Sequence, residues 1–140
     1  MSVETAFLAD VILEHVADAV IYADDVGKIR YWNPAAAELF GYTPLEALGR
    51  HLDLIIPEHL RATHWQGFDA AMISGATKLG GRATLTRARH RSGRKLYVEM
   101  TFALVAVNPG GGAGGAVAVA RDVTEVVEQK RGSGRRDHEG

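Results

Sequence analysis

The chain has 140 residues, 46% of them apolar and 24% charged, which is enough for one domain with a core and excludes whole-chain disorder or a whole-chain coiled coil. It contains no cysteine, excluding a disulfide scaffold, a thiolate-ligated zinc or iron-sulfur centre, a cysteine nucleophile and any cofactor held through a cysteinyl bond. Sixteen Lys and Arg against seventeen Asp and Glu give a net charge of −1, so there is no overall electrostatic footprint for direct binding of nucleic acid or an anionic membrane.

No secretory signal or run of apolar residues long enough to span a bilayer is visible, and a soluble cytoplasmic protein is expected. Residues 1–17 read as an N-terminal amphipathic helix with Leu8, Val11, Ile12 and Val16 on one stripe. It packs either on its own sheet or on a second copy. Ala19–Ala23 and Lys28–Trp32 are strand-like runs around the turn residues Asp24-Asp25-Val26-Gly27, predicting a β-hairpin. Asn33-Pro34 supplies a cap and a proline at the first helical position, and Gly41 closes that short helix. Thr43-Pro44-Leu45-Glu46 is a capping box for a second one. Pro57 then opens a central helix that runs to about Ser74 and stops before Gly75.

Two long strands are expected over Leu79–His90 and Lys95–Val107, joined at Arg91-Ser92-Gly93-Arg94. In the second, Leu96, Val98, Met100, Phe102, Leu104 and Ala106 share the face that should be buried. In the first, Leu79, Gly81, Ala83 and Leu85 share a face. The glycine-rich 108–115 segment lacks the lysine and following helix of a phosphate loop and reads as a hairpin connection. A fifth strand covers 115–121, an exit helix 123–131, and residues 132–140, with no apolar side chain, read as a disordered tail. The central unit is thus 18–122. Its order predicts an α+β fold with a five-stranded antiparallel sheet, helices covering one face, and flanking helices at both ends.

Within the central helix, Leu60, His64, Phe68 and Ala71 recur at helical spacing, so His64 faces inward, where an imidazole needs a partner. Met100 and Phe102 occupy the opposite wall. The other histidines, His15, His51, His59, His90 and His138, show no metal-ligand spacing, and no nucleophile, carboxylate pair or kinase signature supports an enzyme.

Asp25-Val26-Gly27-Lys28-Ile29 with Trp32-Asn33-Pro34-Ala35-Ala36, the segment Phe40–Gly49 and Arg121-Asp122-Val123-Thr124-Glu125 resemble three signatures of the PAS domain, a sensory module of signalling proteins. Ile56-Pro57-Glu58-His59-Leu60-Arg61-Ala62-Thr63-His64 is similar to the corresponding segment of the haem-binding, FixL-like PAS domains of oxygen-sensor kinases. That resemblance implies haem b with His64 as proximal iron ligand, Leu79, Met100 and Phe102 around it, and Met100 as a candidate sixth ligand. It implies sensing of a diatomic gas (O2, CO or NO) or of redox state, homodimerisation, and output to a separate signalling partner. The arginine that holds dioxygen in those proteins matches Thr84 here, with Arg82 and Arg87 nearby; Lys78 and Arg82 lie where propionates emerge. A cofactor-free interaction module and a noncovalent flavin near Trp32 and Asn33 are the alternatives.

Overall fold

A computed structural model of the chain describes residues 2–75, 81–105 and 114–139. The elements are α1 (Val3–His15), β1 (Ala19–Asp24), β2 (Ile29–Trp32), α2 (Pro34–Phe40), α3 (Pro44–Ala47), two 3₁₀ turns (Leu52–Ile55 and Glu58–Leu60), α4 (Arg61–Ser74), β3 (Thr84–Arg89), β4 (Lys95–Val105), β5 (Gly115–Asp122) and α5 (Thr124–Glu139). The five strands form one sheet in the order β2-β1-β5-β4-β3, antiparallel throughout. The last strand in sequence is therefore central and joins two hairpins.

Local chemistry fixes the helical segments. Asn33, with no exposed surface, caps α2 by accepting from Ala36 N–H and also accepts from Val20 N–H, so one side chain ties helix to sheet. Gly41 ends α2 in the left-handed conformation, as Gly75 ends α4. Thr43 and Glu46 complete the capping box of α3. Pro57 precedes a 3₁₀ turn, so the α-helix proper starts at Arg61 instead of at the proline.

Directly paired residues of antiparallel strands share a face. Leu96, Val98 and Met100 of β4 are buried under Phe40, Ala47 and Ile55, the face expected for that alternation. β3 has the opposite phase from the one its sequence predicts. Thr84 pairs with Met100, Thr86 with Val98 and Ala88 with Leu96, so the even-numbered residues face the helices and Leu85 is exposed. Gly81 and Ala83 lie ahead of the strand and are exposed; Leu79 and Ala106 lie outside the described residues. The physical reason is that Leu85 is the one large apolar residue of β3 and sets the apparent phase, whereas the inward members, Thr84, Thr86 and Ala88, are small.

α5 continues to Glu139, beyond the expected end at 131 and through the segment read as a disordered tail. Lack of apolar residues argues against burial, but extending an existing helix fixes one residue per hydrogen bond and needs no core. α1 has no buried residue; Leu8 and Ile12 of its apolar stripe are exposed, as is the neighbouring Phe7, while Val11 and Val16 are partly buried.

Candidate functional site

Between the sheet and the helices lies an apolar cleft of about 610 Å³, its solvent-open mouth included. Ile21 and Ala23 of β1, Ala116 and Ala118 of β5, and Met100 and Phe102 of β4 form the sheet wall. Leu52, Ile55, Ile56, His64 and Phe68 form the helical wall, and β3 adds Thr86, Arg87 and Ala88. The register explains the space. Ala118 is placed between Ile21 and Phe102, and Ala116 between Ala23 and Leu104, so methyl groups occupy central sheet positions where larger side chains would close a core.

The structure thus brings together His64, Met100 and Phe102 on facing walls. Leu60, His64, Phe68 and Ala71 are each half-buried while their neighbours Ala62, Thr63, Gln66, Gly67, Asp69 and Ala70 are exposed, as the inward stripe requires. Burial holds the His64 pKa below its ordinary value of 6.5, with Asp53 and Asp69 pulling upward and His51 adding to the downward shift. His64 is therefore neutral at neutral pH and offers a lone pair. Its Nδ1 is buried and makes no hydrogen bond among the described residues.

Around His64 is an aromatic group that sequence reasoning missed. The Trp65 ring meets His64 edge-on, with centroids 4.5 Å apart and planes at 88°; Phe68 stacks on His64 at 6.0 Å. Trp65 donates from Nε1 to Asp53 Oδ1 at 2.7 Å and lies 4.3 Å from the His51 ring. The adjacent aromatic positions 64, 65 and 68 were the available signal; the link to Asp53 is tertiary.

The remaining candidates are used elsewhere. His15 bonds Val11 O within α1, His51 caps the Leu52–Ile55 turn, and His90 pairs with Ser92. Among the described residues no group of three or more His, Cys, Asp and Glu is arranged to hold a metal ion. Arg87 borders the cleft, yet its guanidinium lies over the Tyr97 ring at 6.0 Å, on the face of β4 opposite Met100. Arg82 is exposed, and Lys78 lies outside the described residues. Thr84 faces the helices beside Met100. Trp32 Nε1 donates to Tyr42 O, and Asn33 makes four hydrogen bonds, to Val20, Ala36, Leu13 and Asp18. Both are structural.

Comparison with known proteins places this architecture. The sequence profile described as the PAS fold matches residues 9–123. The chain belongs to the PAS family. An uncharacterized protein of Azorhizobium caulinodans is 31% identical over 121 residues, 86% of this chain and 16% of that protein. The oxygen sensor protein DosP of Escherichia coli is 26% identical across 84% of this chain and 14% of its own length. The sensor protein FixL of Bradyrhizobium diazoefficiens is 26% identical across 65% of this chain and 18% of its own. The chain therefore spans less than a fifth of the length of these relatives. The PAS domain of a Colwellia psychrerythraea protein superposes with a TM-score of 0.73 at 20% identity, covering 86% of this chain and 98% of that one. An RNA-binding light-oxygen-voltage receptor gives 0.71 at 23%, covering 97% and 39%. These likenesses establish the PAS fold. No helix among the described residues is long and apolar enough to cross a membrane.

Proposed function

We propose that this PAS domain binds haem b through His64 and responds to a diatomic gas or to redox state, as a sensor and not an enzyme. One observation carries the reading: a neutral, half-buried imidazole opens into an apolar cleft whose facing wall is Met100 and Phe102. The donor set fits the group, since a neutral histidine is a standard axial ligand and needs no cysteine. Similarity to an oxygen sensor protein and to a sensor protein supports it. Haem held there would supply an iron able to bind a gas or change oxidation state.

The chain's own residues then set the response. Ile21, Ile55, Ile56 and Phe68 give the cleft an apolar lining. Met100, on the wall facing His64, would offer its thioether to the iron. Thr84 stands where an arginine would hold dioxygen, and the Arg87 guanidinium is turned toward Tyr97, so CO, NO or redox state is favoured over O2. Output passes along β4: Tyr97, three residues from Met100, is bonded through its backbone to Thr124 at the start of α5. A second copy of the chain on α1 and a separate signalling protein receive it.

A flavin is the weaker alternative. Its polar ring edge needs several hydrogen-bonding side chains, and the sheet wall of the cleft supplies alanine, isoleucine, methionine and phenylalanine. An absorption spectrum after expression with haem supply tests the reading. The native chain is expected to give an intense Soret band that His64→Ala loses, and Met100→Leu to convert a six-coordinate reduced spectrum to five-coordinate. Absence of a Soret band after reconstitution overturns the haem assignment; blue absorbance alone indicates flavin, and neither indicates the cofactor-free module.

A further inference from the structure

We propose that Trp65, hooked to Asp53, is the positioning residue that fixes the orientation of the His64 ring in the cleft. A histidine that ligates a metal ordinarily has its ring set by a hydrogen bond from its second nitrogen to a carboxylate or carbonyl. His64 has no such bond: Nδ1 is buried and unpaired among the described residues. Its orientation must come from packing, and Trp65 supplies the geometry. The indole edge abuts the imidazole at 4.5 Å with planes at 88°, an arrangement aromatic rings prefer.

The indole is itself over-determined. Its Nε1 donates to Asp53 Oδ1 at 2.7 Å, the Phe68 ring meets it edge-on at 5.0 Å and 76°, and the His51 ring lies 4.3 Å away. The turn between β1 and β2 comes so close that a Cβ on Gly27 would sit 2.4 Å from the Trp65 ring. A helix residue is therefore clamped by the turn at Leu52–Ile55 and by a hairpin, and His64 rests against it. A charge-assisted hydrogen bond of this length is strong enough to hold one rotamer. The clamp also gives His64 a route to the hairpin turn that does not run through the sheet.

What this implies for haem rests on the proposed function, whereas the positioning itself is measurable in the protein without haem. Ring ¹⁵N and ¹³C signals of His64, followed by NMR at a fixed pH, read tautomer and mobility together. The ionisable groups facing this ring are His51, Asp53 and Asp69, with Arg87 across the cleft. Trp65→Phe is expected to shift and exchange-broaden the His64 signals as the ring loses its edge-on neighbour. Asp53→Asn keeps an acceptor oxygen for the indole and is expected to preserve the native ring orientation and line widths. If Trp65→Phe does not fold, Asp53→Ala has to produce the same broadening. His64 signals indistinguishable from native in a folded Trp65→Phe or Asp53→Ala chain overturn the proposal. In haem-loaded protein the same variants are expected to move the iron-histidine stretching band. Failure of the native chain to take up haem would defeat the haem reading alone, and the positioning role of Trp65 would still stand or fall on the haem-free NMR signals.

Discussion

Asn33 is a small side chain with a large share of the fold's connectivity. It is fully buried, accepts from the N–H groups of Val20 and Ala36, and donates to the carbonyls of Leu13 and Asp18. Leaving several buried backbone groups unpaired costs roughly 1 to 3 kcal/mol for each group that finds no water. Asn33→Ala is therefore expected to lose about 3 kcal/mol or more in urea unfolding; a loss below about 1 kcal/mol would mean that water replaces the amide. His64 makes a different prediction. Its folded pKa lies below 6.5, mainly because burial disfavours the charged ring, so the unfolded chain takes up that proton first. Stability from this group is complete above about pH 7 and declines as pH falls through 6.5 toward the folded pKa. His64→Phe removes the dependence, and urea midpoints measured between about pH 7.5 and 5 should fall less in the variant. Asp24 acts in a separate window. Burial alone would raise its pKa, but hydrogen bonds from Lys28 N–H, Arg30 and Val26 N–H hold it below 3.8, so its contribution is lost only as the pH drops below about 4.

The contact between α5 and β4 fastens the exit helix to the sheet wall of the cleft. Tyr97 N–H donates to Thr124 Oγ1 at 2.9 Å, and that hydroxyl donates to Tyr97 O at 3.3 Å. Asp122 caps the helix by accepting from Thr124 N–H. About two turns further on, Arg131 lies 4.9 Å over the Tyr97 ring and donates to its hydroxyl at 2.7 Å. The buried pair and the half-exposed pair differ in worth. Thr124→Val, which keeps the shape and strands a buried N–H, is expected to cost about 1 to 3 kcal/mol. Arg131→Ala is expected to change stability by well under about 1 kcal/mol while increasing proteolytic cleavage of α5. Equal losses for the two variants would contradict this division of labour.

At the scale of the whole molecule, the unpartnered surface is α1. Phe7 is 68% exposed, Leu8 57% and Ile12 51%, although their spacing is that of a buried stripe. Its fastening to the rest of the chain is polar: Asn33 to Leu13 O, and Tyr31 OH to Glu14. Val11, Leu13 and Val16 are partly buried, whereas Phe7, Leu8 and Ile12 are left outward, and a second copy of α1 is the occupant proposed for them. Sedimentation of the native chain is expected to show dimers that Phe7→Glu with Ile12→Glu converts to monomers. A native chain that sediments as a monomer at about 100 μM would sink that assignment, because an interface failing at such a concentration holds less than roughly 6 kcal/mol.

Much of this could be read without coordinates because the information is local. Caps at Asn33 and Thr43, stops at Gly41 and Gly75, and the alternation of β4 each depend on residues within a turn or a strand of one another. The inward stripe of α4 is equally local, and it placed His64, with Met100 and Phe102 opposite. The phase of β3 was not legible, since a strand of threonines and alanine has no strong apolar face until β4 pairs with it. Nor were the alanines of β5 that leave the cleft open, or the hook from Trp65 to Asp53 twelve residues earlier. Sequence by itself determined the family, most of the elements and the inward position of His64, through short-range patterns of burial and capping. Only the tertiary structure decided how much space that histidine faces and what holds its ring, because both depend on strands and turns brought together by the sheet.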